Sequence, residues 1–158
     1  MEHAQTRLAG GVYLLDADIT FDFSEESLEA LENGVPLTII LEMQLLRRRR
    51  LIWDEAVATR EERYQLEVHA LSGRYVFKNL HSGPTRSFRT LEEAMAALGT
   101  ISSLPVFGSD LLNPKEEYRL RLRARLDIEA LPSPLRPLAY LSGPWRLNSD
   151  WYVWPIER

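Results

Sequence analysis

Residues Tyr118 to Glu129 alternate with a period of two. Tyr118, Leu120, Leu122, Ala124, Leu126 and Ile128 fall on one side. Arg119, Arg121, Arg123, Arg125, Asp127 and Glu129 fall on the other. Successive strand residues point to opposite faces, so this stretch predicts a strand with one buried and one charged face. Such a strand belongs to a one-sided antiparallel sheet rather than to a parallel α/β core.

Other segments carry the same period. Tyr13, Leu15, Ala17, Ile19, Phe21 and Phe23 alternate with Leu14, Asp16, Asp18, Thr20 and Asp22, which predicts a long strand with an acidic outer face. Ser24 is an expected N-cap, Glu25 and Glu26 suit the positive end of a helix, and Leu28 and Leu31 form its buried stripe. Gly34 and Pro36 end it. Leu37 to Leu46 reads as a third strand, with Leu37, Ile39, Leu41, Met43 and Leu45 on one face.

The basic run Arg47 to Arg50 reads as a hairpin or bend before a strand from about Leu51 to Arg60, with a turn over Glu61 to Arg63. Tyr64 to Ala70, the Ser72-Gly73 turn and Arg74 to Lys78 make a β-hairpin. Thr85 to Phe88 is one more short strand. Thr90 to Glu93 is a capping box for a helix stopped by Gly99. A loop holding Pro105, Gly108 and Pro114 leads into the arginine-faced strand. Pro132, Pro134, Pro137 and Pro144 bar a central strand, and Trp151 to Trp154 predicts the last one.

The expected fold is therefore mainly β: an antiparallel sandwich of about seven strands with two short connecting helices, over a single domain, 1–158. An immunoglobulin-like arrangement is one form of it, and a half-open barrel is the alternative.

Composition narrows the function classes. Net charge is −4, which argues against general nucleic-acid binding. With no cysteine, thiolate metal sites and cysteine nucleophiles are excluded. No apolar run approaches the ~18 residues of a membrane helix. Met1 to Thr6 has no apolar core, so no signal peptide is expected at this end. No catalytic motif, metal-ligand spacing or cofactor fingerprint is present, and His69 reads as structural. An enzyme is not expected.

Three clusters remain as candidates. Arg119, Arg121, Arg123 and Arg125 form a cationic stripe with ~7 Å between neighbours. It either meets an anionic or acidic partner or is balanced by Asp16, Asp18 and Asp22 on an adjacent strand. The Arg47, Arg48, Arg49, Arg50 run is either a solvated turn or a contact for anionic headgroups or an acidic protein surface. Trp145, Trp151 and Trp154 either fill the core or line a ligand pocket between the sheets. Lys78 and Lys115 are the only lysines among 19 basic residues, so the other 17 are arginine. That bias reads either as base composition or as selection for bidentate anion contacts.

The ordered set of local patterns carries a resemblance. It runs through Leu31-x-x-Gly34-Val35-Pro36-Leu37, Leu41-Glu42, Tyr64-x-Leu66-x-Val68-His69-Ala70-Leu71-Ser72 and Tyr75. It continues through Phe88-x-Thr90-Leu91-Glu92-Glu93-Ala94-Met95-x-Ala97-Leu98-Gly99, Leu131-Pro132-x-Pro134 and Ser149-x-Trp151-Tyr152-x-Trp154. Together these resemble the proteobacterial domain of unknown function numbered family 4390, over nearly the whole chain. The resemblance implies an exported protein with an N-terminal signal or anchor segment, hence a periplasmic or extracytoplasmic place. Without it the chain reads as cytoplasmic. Family genes lie beside those of a nitrogen-type sensor kinase and its regulator. The resemblance thus implies a sensory or accessory role, with an envelope protein or sensor kinase as partner. It carries over no catalytic residue. A non-enzymatic interaction module is the first reading of function, and a small-ligand or lipid-binding sandwich the second.

Overall fold

The computed structural model describes residues 3–81, 83, 85–141 and 150–157. Among them are nine strands: β1 (His3–Ala9), β2 (Val12–Asp18), β3 (Leu37–Arg47), β4 (Glu55–Val68), β5 (Tyr75–Asn79), β6 (Arg86–Phe88), β7 (Thr100–Gly108), β8 (Tyr118–Leu126) and β9 (Tyr152–Pro155). Helices α1 (Glu25–Glu32) and α2 (Leu91–Gly99) are the two connections expected, and a short α3 (Arg136–Leu141) falls in the proline-rich stretch. The strands form two antiparallel sheets, ordered β1-β2-β7 and β6-β5-β4-β3-β8-β9. The arrangement is sandwich-like, with one core cluster drawing on both sheets.

Strand β3 occupies the middle of the larger sheet and is buried almost along its whole length. Leu37, Ile39, Leu41, Met43 and Leu45 point to the core, as their spacing predicts. Tyr13, Leu15 and Ala17 of β2 join Ile101, Val106 and Phe107 of β7 in the same core. Beyond β2 the alternation persists without a strand: Ile19, Phe21 and Phe23 remain buried although the ladder ends at Asp18. Their apolar spacing satisfies packing, while the backbone has left the sheet to reach α1.

Both helix starts follow the sequence. Ser24 accepts a hydrogen bond from the Ser27 N–H at 3.2 Å, and Thr90 accepts one from the Glu93 N–H at 3.2 Å. Glu93 reaches back one residue beyond the cap, to the Arg89 N–H at 3.3 Å.

Four expectations are corrected. First, β1 was not foreseen. Gly10 and Gly11 both have positive φ, the requirement of a two-residue hairpin turn, and pair Ala9 with Val12. Polar His3, Gln5 and Arg7 hid an edge strand whose only buried residue is Ala4. Second, β7 replaces the loop around Pro105. It pairs only with β2, and an edge tolerates proline. Its register with β2 shifts twice, and Ser103 adopts φ 53° at the irregularity. Third, β4 is one strand, not two joined by a turn at Glu61 to Arg63. With no glycine or proline to break it, the polar triplet divides between the two faces of a strand in continuous register with β3 from Leu37↔Leu66 to Leu45↔Ala58. Fourth, β8 ends at Leu126, and a 3₁₀ turn at Ile128–Ala130 takes the place of its last residues.

Gly99 sits where α2 meets the segment after β2. Its carbonyl accepts the Ile19 N–H at 2.8 Å, and a Cβ there would lie 2.0 Å from the Ile19 carbonyl oxygen. Gly99→Ala should therefore destabilise the fold by about 1–3 kcal/mol, as overpacking against backbone does. Gly108→Ala should cost far less, because the atom it meets is the mobile end of Asp110. Urea denaturation of the two variants measures the difference, and equal midpoints would refute the close approach at Gly99.

Candidate functional site

The arginine stripe lies on the outer face of the larger sheet, and the structure gives each arginine a partner. Strand β8 pairs with β3, not with β2, so Asp16, Asp18 and Asp22 are in or beside the other sheet and do not balance the stripe. Asp16 instead serves the irregularity in β7: it accepts the Ser103 N–H at 2.8 Å and pairs with Arg7 at 3.5 Å.

Balance comes from β3 and β4. Arg123 donates to Glu42 through Nε and Nη2, at 2.9 and 2.7 Å. Arg125 lies 3.7 Å from the same carboxylate and donates to Glu61 at 3.0 Å. Arg121 donates to the Gln44 Oε1 at 2.8 Å, and Gln44 passes a hydrogen bond on to Glu42 at 2.9 Å. Arg63 of β4 donates to Asp127 at 2.6 Å. Arg119 is looser, 3.9 Å from Asp54.

Glu42 is only 7% exposed, so these donors take the place of the water its carboxylate would otherwise bind. The arginine stems also cover apolar surface. Ile40 faces outward between Arg63 and Arg125 in the registers of β3, yet is 1% exposed.

The candidate tryptophans do not converge. Trp151 lies on the outer face, with the Arg121 and Arg123 guanidiniums 4.2 and 4.4 Å from its ring centre. Trp154 points inward, donates from Nε1 to Thr6 at 3.3 Å and packs against the core. Trp145 lies outside the described residues. Thr6, Leu15, Met43, Val106, Leu120 and Trp154 meet across the two sheets and leave no space for a water between them. A more open groove of about 700 Å³ runs along β9 instead, lined by Arg48, Lys115, Arg119, Val153, Trp154 and Ile156 among others.

The basic run straddles the end of β3 and the loop to β4, residues 48–54. The base of this loop is tied down. Arg47 pairs with Glu55 and with Glu116 (3.4 Å). The Arg48 N–H donates to the Glu117 carbonyl at 2.9 Å, and its guanidinium pairs with that side chain at 2.8 Å. Arg49 pairs with Glu55 at 2.6 Å. Hydrogen bonds from Arg47 and then Arg49 hold the Glu55 carboxyl below the usual range. That depression favours the loop's folded base above the ordinary carboxylate pKa and is lost as pH falls through the lowered one.

Beyond the base the loop is bare. Arg50 has no ion pair among the described residues. Leu51 is 96% exposed, Ile52 52% and Trp53 85%. The sequence predicts a strand from about Leu51, but β4 begins only at Glu55. Apolar identity alone does not distinguish a core residue from a protruding one, so this surface was missed.

Among the described residues no three metal-ligating side chains cluster, and no helix is long and apolar enough to cross a membrane. His69 lies exposed just beyond β4, its Nδ1 3.2 Å from the Ser72 hydroxyl. The profile of the family described as "Domain of unknown function (DUF4390)" matches residues 1–155, and the chain belongs to that family. No curated protein and no solved structure matches the chain.

Glu42→Ala should destabilise the domain by about 1.5–3 kcal/mol, because it removes the carboxylate that Arg123 holds with two hydrogen bonds, while Arg125 keeps Glu61. Arg119→Ala should cost less than about 1 kcal/mol, since its pair is long and partly exposed. Equal, small losses in urea denaturation would mean that the stripe is not held by Glu42.

Proposed function

We propose that this member of the DUF4390 family is a non-enzymatic docking module of the cell envelope, with the loop between β3 and β4 as its contact surface. One observation carries the reading: Leu51, Ile52 and Trp53 stand exposed in succession beside Arg48, Arg49 and Arg50. Full burial of a side chain of this size contributes about 1.5–3 kcal/mol. The folded chain leaves nearly all of that unrealised at Leu51 and Trp53. An exposed apolar patch beside polar residues marks a place of contact.

The rest of the cationic surface supports the same choice. The β8 arginines are engaged within the sheet, so the loop is where charge and apolar area remain available together. The envelope setting follows from what the family resemblance implies, as does a partner such as an envelope protein or sensor kinase. The groove along β9 supports a second reading, a small-ligand module binding there rather than between the sheets.

A photoreactive amino acid placed at Trp53 in the native full-length protein tests the docking reading in cells. Leu71 is the control, being 94% exposed on the separate β4–β5 hairpin. An adduct of defined mass is expected from position 53 and not from position 71. No adduct at 53, or the same products at both positions, would overturn the docking reading.

A further inference from the structure

We infer that the partner of the β3–β4 loop is the surface of a bilayer containing anionic lipid, an inference that rests on the docking reading above. The shape of the contact is the first reason. Residues as exposed as Leu51 and Trp53 touch almost nothing of their own protein, so they project as a convex tip. A protein partner would need a cavity to receive three large side chains. A bilayer yields to them, because its interfacial region accepts apolar side chains at the depth where the acyl chains begin.

Residue chemistry is the second reason. Leu51 and Ile52 suit the acyl boundary, and tryptophan favours the headgroup level, where one edge is apolar and its N–H meets water. Arg48, Arg49 and Arg50 directly precede the apolar residues in the chain and would supply the cations for lipid phosphates. Arginine matches a phosphate with a planar fork of donors. The segment Arg48 to Trp53 holds three arginines and no carboxylate.

Charge distribution is the third reason. The whole chain is net −4, so a diffuse attraction to an anionic surface is absent. Binding must be local and oriented, loop downward, with the carboxylates at the loop base, Glu55 and Glu117, already paired with Arg49 and Arg48. Arg50 has no ion pair among the described residues, whereas the pairs of Arg48 with Glu117 and Arg49 with Glu55 are partly exposed. Exposed pairs of that kind are weak enough to be exchanged for lipid phosphate. The loop base remains fixed meanwhile by the Arg48 N–H bond to Glu117 and by Arg47 between Glu55 and Glu116.

Sedimentation of the full chain with vesicles tests the inference. One set is phosphatidylcholine alone, and the other is phosphatidylcholine mixed with phosphatidylglycerol. The protein should pellet with the mixed vesicles and much less with the neutral ones, and added salt should weaken the association. Trp53→Ser and Leu51→Ser should each reduce vesicle affinity about tenfold, and Arg50→Gln about fivefold. All three positions are exposed, so unchanged urea midpoints should confirm that the variants fold. Failure to pellet with mixed vesicles, equal binding to neutral ones, or undiminished binding by the variants would overturn the bilayer proposal. A protein adduct at position 53 in cells, without vesicle binding, would also overturn it while leaving the docking reading intact. Neither adduct nor vesicle binding would remove both.

Discussion

The double-sided burial of β3 is the constraint on which the rest of the structure depends. Its inner face, Leu37 to Leu45, is covered by the smaller sheet and by the segments that cross the core. Its outer face carries Thr38, Ile40, Glu42 and Leu46, all buried, and no second sheet covers that side among the described residues. The cover comes from side chains of the neighbouring strands. Arginine suits this task because three methylenes lie over apolar surface while the guanidinium reaches a carboxylate or water. The buried carboxylate of Glu42 then fixes where those heads go. The arginine-faced strand is thus a lid for β3 as much as a charged surface, and its regular alternation follows from lying beside β3 in register.

Much of the architecture was legible where the physical cause is local. Alternation in β8 and on the inner face of β3, the caps at Ser24 and Thr90, and the Ser72-Gly73 turn each depend on residues close in sequence. The misses share a different cause. β1 and β7 are edge strands, so their sequences need bury little and can hold polar residues or Pro105. The turn assigned to Glu61 to Arg63 failed because its polar residues are neutralised by β8, β5 and the segment after β8, all distant in sequence. The stripe's balance failed for the same reason. Alternation reports which residues share a face, but strand order decides which charges meet, and β3 rather than the acidic β2 lies beside β8.

The candidate surface was half legible. Four successive arginines drew attention to the loop, whereas Leu51, Ile52 and Trp53 looked like the beginning of a buried strand. A hydrophobic triplet has the same appearance in a core and at a tip. What separates the cases is where the ladder resumes, and here β4 takes up pairing only at Glu55. The tryptophans show the converse. Their nearness in sequence suggested one aromatic site, but Trp151 and Trp154 differ in strand parity and are directed to opposite sides of the sheet.

The chain therefore uses arginine in two physically different ways. On the sheet face, Arg123 and Arg125 share a carboxylate that is itself almost fully covered. Loss of either party leaves charge or apolar surface badly solvated, so these contacts resist exchange. At the loop, Arg48 and Arg49 meet carboxylates that water also reaches, and Arg50 meets none among the described residues. Contacts of that strength are close to neutral in free energy and can be traded for a new anion without cost to the fold. At this loop, replaceable pairs and unburied apolar side chains occur together where the backbone leaves the sheet. There the position of the loop is secured from its base, and its outer residues are released from any duty to the core.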